Sequence, residues 1–121
     1  MTISEFYDLI GGDYEDIISR LYTDERIIKF LKLFLKDTSY QELKSCMQEG
    51  DWEKAFRAAH TLKGVAQNLS MNSIIKAAGN ITEALRTKNI ELAKQLLPDV
   101  ENICDKVYSL LDELLESTSD K

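Results

Sequence analysis

Histidine is almost missing from this chain: His60 is the only one in 121 residues. Any imidazole chemistry is therefore confined to one place, and the several-histidine ligand sets of most catalytic zinc sites are excluded. Cysteine is nearly as scarce. Cys46 and Cys104 lie far apart and form no C-x-x-C, so neither a redox motif nor a thiolate metal site is indicated, and both read as reduced thiols at or near the core. No metal site and no cofactor is expected. No apolar stretch approaches the roughly 18 to 20 residues needed to cross a bilayer. The first residues, with Glu5 and Asp8 early, lack the basic-then-apolar layout of a signal peptide, so a cytoplasmic protein with no membrane partner is expected. Positive charge is in deficit, with 15 Lys and Arg against 21 Asp and Glu and a formal charge of -6. The basic residues are not clustered, which argues against nucleic acid as a partner. There is no G-x-x-x-x-G-K-[ST] loop and no protein-kinase motif set, so the chain has no means of taking phosphate from ATP itself.

With one proline and five glycines, and no strand alternation, the composition favours helices throughout. The length suits one domain, spanning 1–121. A short helix is expected over Ile3 to Leu9 behind Thr2 or Ser4, stopped by Gly11-Gly12, and a second over Tyr14 to Leu21 behind Asp13. Asp24 reads as the cap of a helix to Phe34 or Leu35, with Ile27, Ile28, Leu31, Phe34 and Leu35 as its buried stripe. Thr38 or Ser39 opens another that ends at Gly50. Asp51 caps a helix ending near Leu69 or Ser70, and Asn72 caps the next, from Ser73 to Lys88. Only a few residues join these two, which sets them antiparallel and adjacent. Asn89 caps a last long helix from Ile90 to about Leu115, with Leu92 among its apolar positions. Pro98 bends it rather than stopping it. The expected architecture is all-α: an antiparallel up-down-up-down four-helix bundle over about 24–116, with one or two short N-terminal helices across one end and a frayed tail at 117–121.

On the helix that carries the histidine, Trp52, Ala55, Ala59, Leu62, Ala66 and Leu69 fall on one side, the buried one. His60 points roughly 140° away from that stripe, toward solvent. Its own stripe includes Glu53, Phe56, Arg57, Gly64 and Gln67. Glycine inside a helix costs about 1 kcal/mol against alanine. Gly64 nevertheless follows the histidine by one turn, where any side chain would crowd the imidazole or a group attached to it. Lys63 sits at i+3, near enough to bring a positive charge to such a group. Imidazole is largely uncharged near neutral pH and keeps one ring nitrogen free as a nucleophile. A bare imidazole with a clear approach and an adjacent ammonium suits the acceptance and return of a phosphoryl group. The plainer readings are a solvated lysine at 63, a tight helix contact at Gly64 and a boundary core residue at Phe56.

The run His60-Thr61-Leu62-Lys63-Gly64, with Leu69 beyond it, resembles the signature of the histidine-containing phosphotransfer (HPt) domain family. Gly12-Asp13-Tyr14-Glu15-Asp16 with Arg20-Leu21 resembles the lead-in of such domains. Glu49-Gly50-Asp51-Trp52 resembles the turn before their histidine helix, and Leu96-Leu97-Pro98-Asp99-Val100 matches the proline of their last helix. Val65 stands where serine or alanine is frequent. The resemblance implies a bundle whose His60 is phosphorylated, with Lys63 compensating charge and Gly64 giving access. Its partners would be response-regulator receiver domains, which supply Mg²⁺, and a sensor or hybrid histidine kinase; the protein would be a carrier rather than an enzyme, and a monomer. Ser70 stands at the small-residue position ten after the histidine, where partners of the family approach closely. Phe56, Arg57 and Gln67 flank the histidine, and Thr82 and Arg86 lie off the apolar stripe of the next helix. Those six residues form the expected docking surface. Two other readings compete: a helical adaptor that binds signalling proteins without transferring phosphate, and a haem or metal-binding bundle with His60 as ligand.

Overall fold

The computed structural model describes residues 1–119, and among these the only regular structure is seven α-helices: α1 (Ile3–Leu9), α2 (Tyr14–Leu21), α3 (Asp24–Lys36), α4 (Ser39–Glu49), α5 (Trp52–Asn68), α6 (Asn72–Arg86) and α7 (Ile90–Ser119). Most helix starts follow from local side-chain chemistry. Thr2 forms a capping box with Glu5, Asp13 accepts from the Asp16 amide, Asp51 from the Lys54 amide and Asn89 from the Leu92 amide. Two expected caps are displaced. Thr23, not Asp24, caps α3, since its hydroxyl accepts from the Arg26 amide and Asp24 is already helical. Asn72 likewise lies inside α6 and its side chain caps nothing. At α4 neither Thr38 nor Ser39 supplies a cap; the Asp37 carboxylate instead accepts from the Ser39 amide at 3.0 Å and from its hydroxyl.

Helices α4 to α7 pack in sequence order as an antiparallel ring, closed by contacts between α7 and α4. The closest pair is α5 with α6, where alanines at 55, 58, 59 and 66 face alanines at 77, 78 and 84 and let the backbones approach. Leu62, Met71, Ile74, Ile81, Val100 and Leu111 fill the space between the layers and are all fully shielded from solvent. At 30 residues, α7 is about 45 Å long, twice the length of α6. Its second half therefore runs beyond the α5–α6 turn and needs another cover. The three N-terminal helices supply it: α1 and α3 both touch α7, Phe34 stacks on Tyr108 at 5.1 Å, and Ile27, Leu31 and Phe34 are buried. The ring thus begins at Ser39 rather than near residue 24, and α3 belongs with the short helices of the end cover. Leu35 and Leu92, expected in buried stripes, are exposed, and Ile28 and Trp52 are half-buried at its edges.

Pro98 sits on the exposed side of α7, and the helix continues through it. The helix also outlasts its expected end at Leu115. Ser117 donates back to the carbonyls of Glu113 and Leu114, which carries the hydrogen bonding past the last apolar turn. The frayed tail expected at 117–121 is thus helical as far as Ser119, and its last two residues, 120 and 121, lie outside the described residues.

The α1–α2 connection fastens the α5–α6 turn. Tyr7 donates its hydroxyl to the Leu69 carbonyl at 2.8 Å, the Asp13 amide donates to Ser70 O and the Ser73 amide to Gly11 O. Gly12 is required here by space: a Cβ would lie 2.6 Å from the Tyr7 ring and 2.9 Å from the Ser70 carbonyl oxygen. This fastening fixes where the histidine helix ends. No helix among the described residues is long and apolar enough to cross a membrane.

Candidate functional site

His60 lies in the middle of α5 and is exposed, because Ala55, Ala59, Leu62 and Ala66 take the opposite side of the helix into the core. One turn earlier, the half-buried ring of Phe56 stacks on the imidazole, with centroids 6.1 Å apart and planes 27° from parallel. That contact holds one face of the ring. Neither ring nitrogen is engaged in a hydrogen bond among the described residues, so both are free for chemistry.

One turn later the surface opens. A Cβ built on Gly64 would meet nothing within 4 Å, which rules out a tight helix contact as the reason for that glycine. Apart from its own helix backbone and neighbours, nothing of this chain fills the place a side chain at 64 would take. A group approaching His60 along α5 has only backbone to pass.

Lys63 turns the other way, across α6. Its stem lies over Gly79: a Cβ there would sit 3.7 Å from Lys63 Cε, 3.8 Å from Cδ and 3.9 Å from Nζ. Gly79 is a bare stretch of backbone on which the lysine rests. Lys63 makes no ion pair among the described residues, so its charge stays available.

Because α5 and α6 are antiparallel, the register that sets Lys63 over Gly79 and Phe56 beside Leu85 and Arg86 also brings Thr82 and Glu83 level with His60. Arg86 Nε donates to Glu83 at 3.0 Å, and its Nη2 donates to the other carboxylate oxygen. Arg86's hydrogen bonds hold the Glu83 carboxyl below the ordinary carboxylate range, and the positive charge of Lys63 adds to the effect. Arg57 pairs with Glu53 one turn back, at i, i+4 and 2.5 Å, where Arg86 and Glu83 are i, i+3. Both pairs are exposed.

Of the nine residues expected at the site, seven gather on this surface: His60, Lys63, Gly64, Phe56, Arg57, Gln67 and Arg86. The other two are corrections. Ser70 is only 2% exposed. Its backbone takes φ 54°, and its hydroxyl accepts from Arg20 at 2.6 Å and donates to Asp16 at 2.5 Å. Arg20 also donates to the Asn68 carbonyl at the end of α5. Ser70 is thus a fastening between α2 and the α5–α6 turn, and its hydrogen bond lowers the Asp16 carboxyl below its usual range. Thr82 is also buried, at 7% exposure, and spends its hydroxyl on the Ala78 carbonyl at 2.6 Å. A polar residue off an apolar stripe reads as exposed, but bonding back one turn lets threonine sit inside.

Four contributors are not marked by the spacing within any one helix or were not singled out from it. Gly79 and Glu83 are recognisable only once the α5–α6 register is known. Phe30 and Leu33 of α3, 42% and 53% exposed, border a groove shared with Val65 and Asn68 of α5. Each breaks the apolar stripe of α3 by facing outward, which was the available signal.

No group of three or more His, Cys, Asp and Glu side chains suited to holding a metal ion occurs among the described residues. In comparison with known proteins, residues 29–120 match the model of the Hpt domain. The match takes in all of α4 to α6, the described part of α7 and most of α3. The chain is also 28% identical over 128 aligned residues to the dynamin-like GTPase MGM1, mitochondrial, of Saccharomyces cerevisiae; that alignment covers 94% of this chain and 14% of that protein. No solved structure matches the chain.

Proposed function

The chain belongs to the Hpt domain family, and from that premise we propose that it carries a phosphoryl group on His60 between receiver-domain aspartates of a two-component phosphorelay. The observation that carries the reading is the exposed imidazole with empty space at Gly64, on the helix that bears the family's motif. In the loading step a ring nitrogen of neutral His60, Nε2 being the one farther from the backbone, attacks the phosphorus of a receiver's aspartyl phosphate. The N–P bond forms as the P–O bond to the aspartate breaks, and the carboxylate leaves with the electron pair. The ring then sheds its Nδ1 proton to solvent. Delivery to the next aspartate retraces these events with the proton returned first, so that imidazole departs neutral. The receiver supplies Mg²⁺ to offset charge at its own aspartate.

Within this chain each residue has a limited task. Phe56 holds the ring face, Gly64 leaves the approach open, and Lys63 meets the incoming negative charge. Arg57, Gln67 and Arg86 border the contact on one side, with Phe30 and Leu33 on the other. Aromatic and aliphatic groups among polar ones suit a small transient interface. The protein acts as a monomeric carrier rather than an enzyme, charged by a receiver or hybrid kinase. We place it in the cytoplasm, where a reducing medium suits its two free cysteines. The GTPase of the MGM1 name is not carried over, because the similarity covers 14% of that protein and this chain holds no glycine-rich phosphate loop.

The test is transfer from a phosphorylated receiver domain with Mg²⁺ to the native protein and to His60→Gln. Label on the native chain alone is expected. Equal label on both proteins would remove His60 from the mechanism, and a folded native protein that takes no phosphate from several receivers would point to the adaptor reading.

A further inference from the structure

Glu83 has no part in the chemistry described so far, yet it stands level with the imidazole on the neighbouring helix and is paired with one cation of the site and close to another. Arg86 gives it two hydrogen bonds. Lys63 lies across α6 at Gly79, one turn before Glu83 on the same helix, and its field reaches the carboxylate. Lys63 and Arg86 are the positive groups that flank Glu83 along the α5–α6 seam beside His60, Lys63 over Gly79 and Arg86 beside Phe56. One carboxylate between them competes with that substituent.

We propose that Glu83 is a positioning residue that sets how strongly a phosphoryl group is held on His60, by pairing with Arg86 when the histidine is bare and contesting Arg86 and the nearby Lys63 when it is loaded. This rests on the phosphocarrier reading. A carrier must release what it accepts, and a phosphoryl dianion gripped by both cations would be a poor donor. Glu83 keeps the grip loose. When the phosphoryl group arrives, Lys63 can swing from Gly79 toward it because nothing but van der Waals contact retains its stem. Arg86 can follow only by giving up its carboxylate. When the N–P bond breaks and the phosphorus passes to an aspartate oxygen, the ring nitrogen keeps the electron pair, Arg86 returns to Glu83 and Lys63 to its place over Gly79.

The experiment compares the native protein with Glu83→Gln, which keeps the shape and removes the charge, and with Glu83→Asp, which keeps the charge. Each is loaded on His60 with phosphoramidate, a small chemical donor that needs no receiver, and the phosphoryl resonance is followed by ³¹P NMR as pH is varied. Freed cations favour the dianion. The phosphoryl pKa of Glu83→Gln is therefore expected to lie about 0.3 to 0.7 below the native value, which is the two- to fivefold effect of an exposed ion pair. The equilibrium with a receiver should move toward His60 by the same factor, while Glu83→Asp stays near native. In a Lys63→Gln, Arg86→Gln background, Glu83→Gln should lose most of its effect. Equal phosphoryl pKa values in the native and Glu83→Gln proteins would overturn the proposal, as would an effect that persists in full without the two cations, since that is direct repulsion. If the receiver gives no transfer to any form, the phosphocarrier reading fails, while the NMR arm still decides the role of Glu83.

Discussion

Replacing Gly64 by alanine separates stability from function in opposite directions. Glycine in a helix interior costs about 1 kcal/mol relative to alanine, and Gly64 is in the interior of α5 with nothing beyond its own helix backbone and neighbours within 4 Å of where a Cβ would stand. Nothing in the fold offsets that cost. Gly64→Ala should therefore raise folding stability by about 1 kcal/mol, or about 4 °C in melting temperature for a chain of this length. The same methyl group stands one turn from the imidazole, in the space through which, on the proposed mechanism, a receiver's aspartyl phosphate comes. Displacing the reacting atoms by a fraction of an ångström is expected to slow loading at least about tenfold, equivalent to about 1.4 kcal/mol in the barrier. Thermal melts followed by circular dichroism read the first effect, and rapid-quench transfer from a phosphorylated receiver reads the second. A variant that is more stable and fully active would refute the access role of Gly64. A lower melting temperature would refute the open geometry itself.

Gly12→Ala should do the reverse, since its Cβ would meet the Ser70 carbonyl oxygen at 2.9 Å and the Tyr7 ring at 2.6 Å. A loss of about 1 to 3 kcal/mol in urea unfolding is expected, and an unchanged midpoint would contradict the packing described. Burial pushes the Cys104 thiol up to about 12, whereas Cys46 is half-buried with its thiol raised less. A thiol reagent near neutral pH should thus label Cys46 alone in the folded protein and both residues in denaturant; rapid labelling of Cys104 in the native state would oppose this. Burial also raises the Tyr7 hydroxyl well above its ordinary range. A group whose folded pKa exceeds its unfolded value of about 10 contributes fully below that pH and loses its contribution as pH rises beyond it. Melting temperature should fall above about pH 10, and Tyr7→Phe should flatten the fall; identical slopes would remove Tyr7 from the cause.

Much of this could be read from the residues because helix signals are local. The caps at Thr2, Asp13, Asp51 and Asn89 act within one turn, and the apolar spacing of α5 alone sets His60 outward. Gly64 was legible for the same reason, since it shares a helix stripe with the histidine. What escaped reading depends on pairing between helices. Gly79 and Glu83 matter only through the α5–α6 register, which no spacing within either helix encodes. Ser70 and Thr82 look like surface polar residues until their hydrogen bonds are known, one to Arg20 and Asp16 across 50 and 54 positions and one to the preceding turn. The lead-in Gly12 to Leu21 lies ahead of the matched residues 29–120, and its physical role is to fasten the end of the histidine helix. Leu35 and Leu92 went the other way, because a helix periodicity cannot tell how wide its buried stripe is when a neighbour is shorter than the helix itself.

The measurement that bears most directly on the whole account is site mapping of phosphate after incubation with a phosphorylated receiver and Mg²⁺. The account predicts one phosphoryl group per chain, acid-labile and alkali-stable, on His60 and absent from His60→Gln. Phosphate found on a serine, threonine or aspartate instead, with His60 unmodified in a folded protein, would contradict it.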